Sequence, residues 1–276
     1  MHLSDDDPRW RQRSGGSGHY DPEWVPGDED RALRYWEALD GKGRDILRYL
    51  IRHPGREIHH TELVKELRLD PEGTKNPANV MAGSLTSMSE GNKAAGRRYP
   101  FSWREGDGGA SYGVKPETAR IFNIALKAAH VVESRGGLVA LTASAEEVGP
   151  LVQRLDHVLD GADVRMVLGS ACTTALKAVQ QFVAALQLPY PAAQGWTEFL
   201  GHLGERPASL RQCIVVTDAC RLLRHEDYDV WRELTGTLRG GPYCLGGGWF
   251  TLALVDDEYS WQEWTHGPLS EVRPHD

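Results

Sequence analysis

The chain lacks the segments by which membrane and exported proteins are recognised. No apolar run approaches the roughly 20 residues that a membrane-spanning helix requires. The N-terminal stretch MHLSDDDPRWRQRSGGSGHY is polar and acidic, and it has no apolar core of the kind found in secretory signals. We therefore expect a cytoplasmic protein that does not interact with membranes.

Cysteine is scarce, and its spacing does not match a metal site. The four cysteines are Cys172, Cys213, Cys220 and Cys244, and none forms a C-x-x-C pair. Because no H-x-x-x-H pattern follows them either, a zinc site is not expected. In a cytosolic chain these residues are expected to pack as small, partly buried hydrophobic side chains.

Catalytic and cofactor-binding motifs are missing as well. Cys172 lies between a predicted strand and a helix start, where a thiol could be activated, but no partner histidine can be assigned. The run Gly246–Gly248 precedes a strand, whereas a phosphate-binding loop precedes a helix. His59 and His60 are expected to begin a helix. We therefore predict no enzyme activity, no metal and no cofactor.

The charge distribution divides the chain into two parts. The 276 residues are enough for two domains. Residues 28–128 contain 17 lysines and arginines against 15 acidic residues, whereas residues 129–276 contain 11 against 19. A nearly neutral part followed by an acidic part indicates two different partners, and the acidic part is a poor candidate for nucleic-acid binding.

Composition and hydrophobic periodicity predict the domain boundaries. Residues 1–27 are rich in Gly, Ser, Asp and Pro and are expected to form a disordered tail. Residues 28–134 are expected to form one domain and residues 135–276 a second. Helices are predicted over 29–39, over 44–52 and from Thr61 to Leu67, because apolar residues recur there at helical spacing.

The rest of the first domain combines a third helix with a hairpin. Asn76 and Pro77 are a typical cap and first residue for a helix running to about Met88. Two strands then flank the turn signal Asp107-Gly108-Gly109, and a long helix begins at Pro116. Three helices followed by a hairpin resemble a winged helix-turn-helix domain over residues 41–127. This resemblance implies that the third helix enters the major groove of DNA.

Packing Met81, Leu85 and Met88 inward leaves a polar face on the third helix and basic residues around it. Amide and hydroxyl side chains can contact base edges, and basic side chains can neutralise phosphates. The candidate DNA-binding residues are Lys75, Asn76, Asn79, Thr86, Ser87, Lys93, Arg97, Arg98, Arg104 and Lys115.

In the second domain strands and helices alternate, which predicts an α/β layer with mainly parallel strands. A capping box opens a helix at Ser144. From Val164 to Arg239, the order of elements and the positions of Leu188-Pro189, Trp196, Phe199 and Asp218-Ala219 resemble the barstar family of ribonuclease inhibitors. The predicted fold class is therefore an α+β winged helix-turn-helix domain followed by an α/β barstar-like domain, at about 164–255, with a small, mainly parallel sheet.

The barstar resemblance implies a protein partner, although this chain departs from the family at the inhibitory positions. Thr197 and Gly201 stand where the family usually has two aspartates, so the phosphate-mimicking charge is absent. A third acidic position corresponds either to Glu233 or to Gly240. The candidate partner residues are Gln194, Thr197, Glu198, Gly201, His202, Glu205 and Glu233.

Two functions remain open at this point. One is a DNA-binding regulator or antitoxin-like protein, which binds double-stranded DNA through residues 41–127 and a protein, such as a toxin or nuclease, through residues 164–255. The other is a protein-interaction adaptor that binds no nucleic acid.

Overall fold

The structure is a computed structural model, and it describes residues 2–10, 21–106, 108–134, 136–159, 161–207, 210–239 and 249–264. Two compact units are present, Met1–Leu126 and Lys127–Asp276. The boundary between them falls eight residues before the predicted one at residue 134. No helix in the described residues is both long and apolar enough to cross a bilayer.

The first unit combines helices with a small sheet. Its helices are α1 (Glu29–Ala38), α2 (Gly41–Arg52), α3 (His60–Glu66), α4 (Pro77–Ser84), α5 (Met88–Ala95) and α6 (Pro116–Glu133), the last of which runs past the unit boundary. Its strands are β1 (Ile58–His59), β2 (Phe101–Gly106) and β3 (Gly109–Val114), and a short 3-10 turn spans Pro8–Trp10.

Side-chain caps and glycine positions explain several of these helix ends. Asp40 precedes α2 and accepts a hydrogen bond from the backbone N–H of Gly43, and Asn76 caps α4 in the same way through Ala78. Helix α5 ends at Ala95 and is followed by Gly96, which adopts the left-handed conformation at φ 59° that glycine tolerates at a helix C-terminus.

The third predicted helix is interrupted, so its predicted extent to Met88 is wrong. Helix α4 ends at Ser84, and a turn separates it from α5. The Thr86 hydroxyl donates to the carbonyl of Gly83, and the Ser87 hydroxyl donates to the Asp40 carboxylate. Gly, Ser and Thr are weak helix formers whose side chains or backbone favour turns and caps, which explains the break.

The three strands form one antiparallel sheet in the order β1-β3-β2. In the hairpin, Phe101 pairs with Val114 at the open end, and Gly106 pairs with Gly109 at the tip. The predicted hairpin is present, although its first strand begins at Phe101. As a result, Arg98, with which the strand was expected to begin, lies before it.

The N-terminal segment is packed where it is described, which corrects the prediction of a disordered tail over residues 1–27. Leu3, Trp10 and Trp24 are buried. The Trp24 indole N–H donates to the carbonyl of Arg98, and its ring contacts Tyr35 edge-on. These few large apolar side chains anchor the segment, although its average composition is polar. Residues 11–20 lie outside the described residues.

The second unit is built on a parallel sheet. Its strands are β4 (Gly137–Thr142), β5 (Asp163–Leu168), β6 (Arg211–Thr217) and β7 (Trp249–Asp256). Its helices are α7 (Ala145–Val158), α8 (Ala175–Leu186), α9 (Trp196–Gly204), α10 (Tyr228–Arg239) and α11 (Glu258–Glu263), with 3-10 turns at Gly169–Ala171, Tyr190–Gln194 and Ala219–Arg221. The strand order is β4-β7-β6-β5, with every neighbouring pair parallel. The mixed α/β architecture and the parallel sheet predicted from the sequence are confirmed.

Both faces of this sheet are covered, as the apolar run of β6 requires. Cys213 and Val215 pack into one cluster, together with α7. Ile214 and Val216 pack into the other, together with α8, α9 and α10. Because successive strand residues point to opposite faces, a nearly continuous apolar strand is the pattern of a sheet buried on both sides.

Candidate functional site

Helix α4 turns one polar face outward. Met81 is buried, whereas Asn79, Ala82, Gly83 and Thr86 are exposed. This division agrees with the face predicted from the sequence for the third helix. The exposed residues are small or carry amide and hydroxyl groups, so a ligand can approach the helix backbone closely.

A cleft of about 450 Å³ opens beside this face. Its lining includes four residues of α4, the residue that caps this helix and one residue near the start of α2. No pattern in the sequence connects α2 with α4. The lining residues are Lys42, Leu69, Lys75, Asn76, Asn79, Val80, Gly83 and Ser84. The structure thus brings together Lys75, Asn76 and Asn79 from the predicted set and adds Lys42, which the sequence analysis missed.

The two lysines of the cleft have no acidic partner in the described part of the chain. Lys42 and Lys75 are both exposed, and neither has an ion pair with the described carboxylates. Two carboxylates close to these lysines in sequence accept backbone N–H groups. Asp70 accepts the backbone N–H of Lys75 at 2.8 Å, and Asp40 accepts that of Gly43 at 2.7 Å. Both ammonium groups therefore remain available to an external anion.

Arg97, in contrast, serves the structure of the first unit. Its Nε lies 2.7 Å from one carboxylate oxygen of Asp28, and its Nη2 lies 2.7 Å from the other. Asp28 is buried. Burial raises the pKa of Asp28, but the hydrogen bonds from Arg97 and from the Val25 N–H, together with the charges of Arg97 and Arg31, outweigh it and hold that pKa below its usual range. A fork of this kind fixes both side chains, so Arg97 is not free to bind phosphate.

The other basic residues near the hairpin are also paired. Glu23 forms ion pairs with both Arg98 and Lys115, at the open end of the hairpin. Arg104 lies 2.7 Å from Glu57, and Lys93 lies 2.7 Å from Glu90. Each of these cations already has a carboxylate partner in its own chain, which reduces the positive charge that it offers to DNA.

Two histidines hold the tip of the hairpin against the start of α3. Nε2 of His59 lies 3.1 Å from the carbonyl oxygen of Gly108, and Nδ1 of His60 lies 3.2 Å from that of Ala110. A carbonyl oxygen only accepts, so both contacting nitrogens carry the proton. Gly109 has φ +117°, and a Cβ there would lie 2.2 Å from the His60 ring. As predicted, the pair stands at the helix start, where His59 caps α3.

The two remaining predicted DNA contacts stabilise the turn after α4. Ser87 is half-buried and its hydroxyl is 3.0 Å from the Asp40 carboxylate, and the Thr86 hydroxyl is 2.8 Å from the carbonyl of Gly83. Thr86 remains exposed and can accept a further hydrogen bond. Ser87 is better described as a link between the turn and the start of α2.

In the second unit, α9 presents the predicted partner residues outward. Phe199 and Leu203 are buried against the sheet, whereas Thr197, Glu198 and Gly201 are exposed. A Cβ at Gly201 would meet nothing within 4 Å, so the helix surface is open at this position. Gln194 is exposed in the 3-10 turn before α9. His202 Nδ1 lies 3.1 Å from the carboxylate of exposed Glu205.

The last predicted partner residue lies on α10. Glu233 is exposed, next to buried Trp231 and Leu234. The alternative position, Gly240, lies outside the described residues, as does the connection that follows it up to residue 248. The register of this third acidic position therefore stays a prediction.

The described cysteines pack as the sequence predicts. Cys172 and Cys213 are fully buried, and Cys220 is half-buried. Burial raises the pKa of Cys172 to about 11 and that of Cys213 to about 12. Both are therefore thiols at neutral pH and poor nucleophiles. Cys244 lies outside the described residues.

Comparison with known proteins yields one family and no curated relative. The sequence profile of a family of unknown function (DUF6416) matches residues 29–129, which is less than half of the chain. These residues contain helices α1 to α5, most of α6 and all three strands of the first unit. No curated protein matches this sequence.

The solved structures similar to this chain include the following three, all of them weak matches. Cdc6p from Pyrobaculum aerophilum is 18% identical over 55% of this chain and 40% of its own, with a TM-score of 0.38. Drosophila ORC bound to poly(dA/dT) DNA and Cdc6 is 16% identical over 56% of this chain and 28% of its own, with a TM-score of 0.36. Drosophila ORC bound to GC-rich DNA and Cdc6 is 13% identical over 96% and 34%, with a TM-score of 0.36. The chain thus spans well under two thirds of each of these structures, and similarities this weak do not establish a function.

Proposed function

We propose that this protein is a DNA-binding regulator whose first unit binds double-stranded DNA through α4 and whose second unit binds a protein. Helices α2, α3 and α4, then the short α5 and the hairpin, with strands in the order β1-β3-β2, agree with a winged helix domain whose third helix is interrupted. In such domains the third helix meets the major groove. The observation that carries the proposal is the exposed polar face of α4 beside the cleft with two unpaired lysines.

The test is direct binding of the full chain to a labelled duplex of mixed sequence, followed by fluorescence anisotropy. Phosphate-driven binding is strongest at low ionic strength, so we expect saturable binding at about 50 mM salt that weakens as salt is added. Absence of binding at that salt concentration would reject the DNA half of the proposal.

For the second unit we propose a barstar-like binding domain. Strands β5, β6 and β7 are adjacent and parallel, with α8, α9 and α10 packed on one face, and this agrees with the sequence resemblance. The exposed face of α9 is polar and has few charges, since Thr197 and Gly201 occupy the usual acidic positions. We therefore propose a protein partner other than a ribonuclease with a strongly basic active site.

A barnase-type ribonuclease is the probe for this second proposal. We expect that the full chain added in excess leaves its activity unchanged, because lost charge pairs at such an interface cost several kcal/mol each. Stoichiometric inhibition would contradict this expectation and restore the inhibitor function that the family resemblance implies.

One observation favours the adaptor as a second candidate. Five basic residues predicted to contact DNA (Lys93, Arg97, Arg98, Arg104 and Lys115) have a carboxylate partner within the chain. A surface neutralised in this way suits a protein partner at least as well as a nucleic acid. The anisotropy titration separates the two candidates, since an adaptor binds no duplex at low salt.

A further inference from the structure

We propose that the cleft between the starts of α2 and α4 is the seat of the DNA backbone, and that a phosphodiester group binds there between Lys42 and Lys75. The proposal rests on the DNA-binding function proposed above and identifies its electrostatic contact. In this arrangement the basic residues at the hairpin make no contact with the DNA phosphates.

The chemistry of the cleft suits a phosphate. Two ammonium groups line it, and the described residues provide no ion-pair partner for either. Asn79 is exposed and adds an amide donor. The side-chain oxygen of Asn76 accepts the N–H of Ala78 at 2.9 Å, which leaves its amide nitrogen to donate to a ligand. Four donor groups thus surround one cleft.

Two carboxylates close in sequence to the lysines, Asp40 and Asp70, make local hydrogen bonds and form no ion pair with Lys42 or Lys75. Asp70 accepts the backbone N–H of Lys75, which fixes the loop that carries this lysine. Asp40 accepts the N–H of Gly43 and the hydroxyl of Ser87, so it joins the start of α2 to the turn after α4. Both side chains therefore position the two segments that bring the lysines together.

The basic residues at the hairpin lack this availability. Arg97 is held in a fork by buried Asp28, and Arg98 and Lys115 share Glu23. Phosphate binding there competes with a carboxylate of the same chain, which reduces the free energy gained. Lys42 and Lys75 have no such competing ion pair in the described residues.

The proposal predicts a shallow salt dependence. Each neutralised phosphate contributes about −0.9 to the slope of log K against log salt concentration, so two lysine contacts give about −1.8. Affinity would then fall roughly tenfold between 50 and 200 mM salt. If all six predicted basic residues contacted phosphates, the slope would lie near −5.

The experiment compares full-length variants by anisotropy titration over a salt series with one duplex. The test variant is the double substitution Lys42→Gln and Lys75→Gln, and the matched control is Lys93→Gln with Lys115→Gln, which removes the same charge. We expect the test variant to reduce the slope by about one per lysine and the control to leave it unchanged. Circular dichroism of each variant establishes that it is folded.

The outcomes separate this inference from the function on which it rests. If the unaltered chain does not bind duplex, the proposed function fails. If it binds duplex and the control lowers the slope as much as the test variant, the cleft assignment is wrong while DNA binding stands. Calorimetry with inorganic phosphate distinguishes a free anion from DNA as the ligand of the cleft. If the chain binds phosphate but no duplex, and the test variant abolishes the phosphate binding, the assignment to DNA is wrong.

Discussion

The basic residues of the first unit fall into two groups that the sequence does not distinguish. Lys42 and Lys75 line an open cleft without an acidic partner among the described residues. Arg97, Arg98 and Lys115 are held by Asp28 and Glu23. The comparison teaches that a count of lysines and arginines overestimates the charge a surface offers to a ligand. What matters is how many of them the fold leaves unpaired.

The largest difference between the groups should appear in stability. Replacing Arg97 with Ala removes the fork that pairs buried Asp28 and leaves the longer ion pair with Arg31 at 3.4 Å. Breaking a buried pair costs up to about 3–5 kcal/mol. Chemical denaturation of the full chain, followed through the transition of the first unit, measures this loss. The control is Lys93→Ala, an exposed pair worth at most about 1 kcal/mol. Equal effects of the two substitutions would mean that the Arg97 pair is not structural.

A second prediction concerns the tip of the hairpin. Gly109→Ala introduces a Cβ at φ +117° and 2.2 Å from the His60 ring, and backbone strain of this kind costs about 1–3 kcal/mol. Gly149→Ala is the control, because a Cβ there meets nothing within 4 Å and Gly149 does not line the cleft. We expect the salt slope for duplex binding to stay unchanged in Gly109→Ala. A reduced slope would indicate that the DNA contact lies at the hairpin.

The sequence predicted the order of elements well because that order depends on local signals. Apolar periodicity marked α2 and α3, Asn76 and Pro77 marked the start of α4, and the apolar run of β6 marked a strand buried on both faces. Each of these signals lies within a single element, so it can be recognised without knowing the fold.

The partners of the basic residues could not be predicted, because they are distant in sequence. Arg97 and Asp28 are 69 residues apart, Arg104 and Glu57 are 47 apart, and Lys115 and Glu23 are 92 apart. Lys42 was missed for the same reason, since only the packing of α2 near α4 brings it to Lys75. The average polarity of residues 1–27 predicts disorder, whereas the packing of the described part depends on two buried side chains, Trp10 and Trp24.

Acid sensitivity is the third prediction. The pKa of Asp28 is lowered in the folded state, so its ionised form contributes stability that is fully present above the ordinary pKa of about 3.9. That contribution is lost as the pH falls through the lowered folded-state pKa. We expect Asp28→Asn to flatten the decrease in stability below about pH 4, measured as the denaturation midpoint at successive pH values. An unchanged pH profile would show that another carboxylate is responsible.

The smallest expected effect belongs to Glu23, which bears most directly on the comparison. Glu23→Gln removes the partner of both Arg98 and Lys115, and these half-exposed pairs should contribute at most about 1 kcal/mol each. We expect its affinity for duplex DNA to match that of Glu37→Gln, an exposed control with the same change in charge. An affinity well above that of the control would mean that the hairpin contacts DNA once its cations are released.

The most direct test of the central claim is hydrogen–deuterium exchange of the full chain with and without duplex DNA at low salt. With duplex bound, we expect slower exchange at the start of α2 and through Pro77–Ser84 of α4. Exchange at the open end of the hairpin, near Phe101 and Val114, should stay unchanged. Protection confined to the hairpin, or no protection anywhere in the first unit, would contradict the central claim.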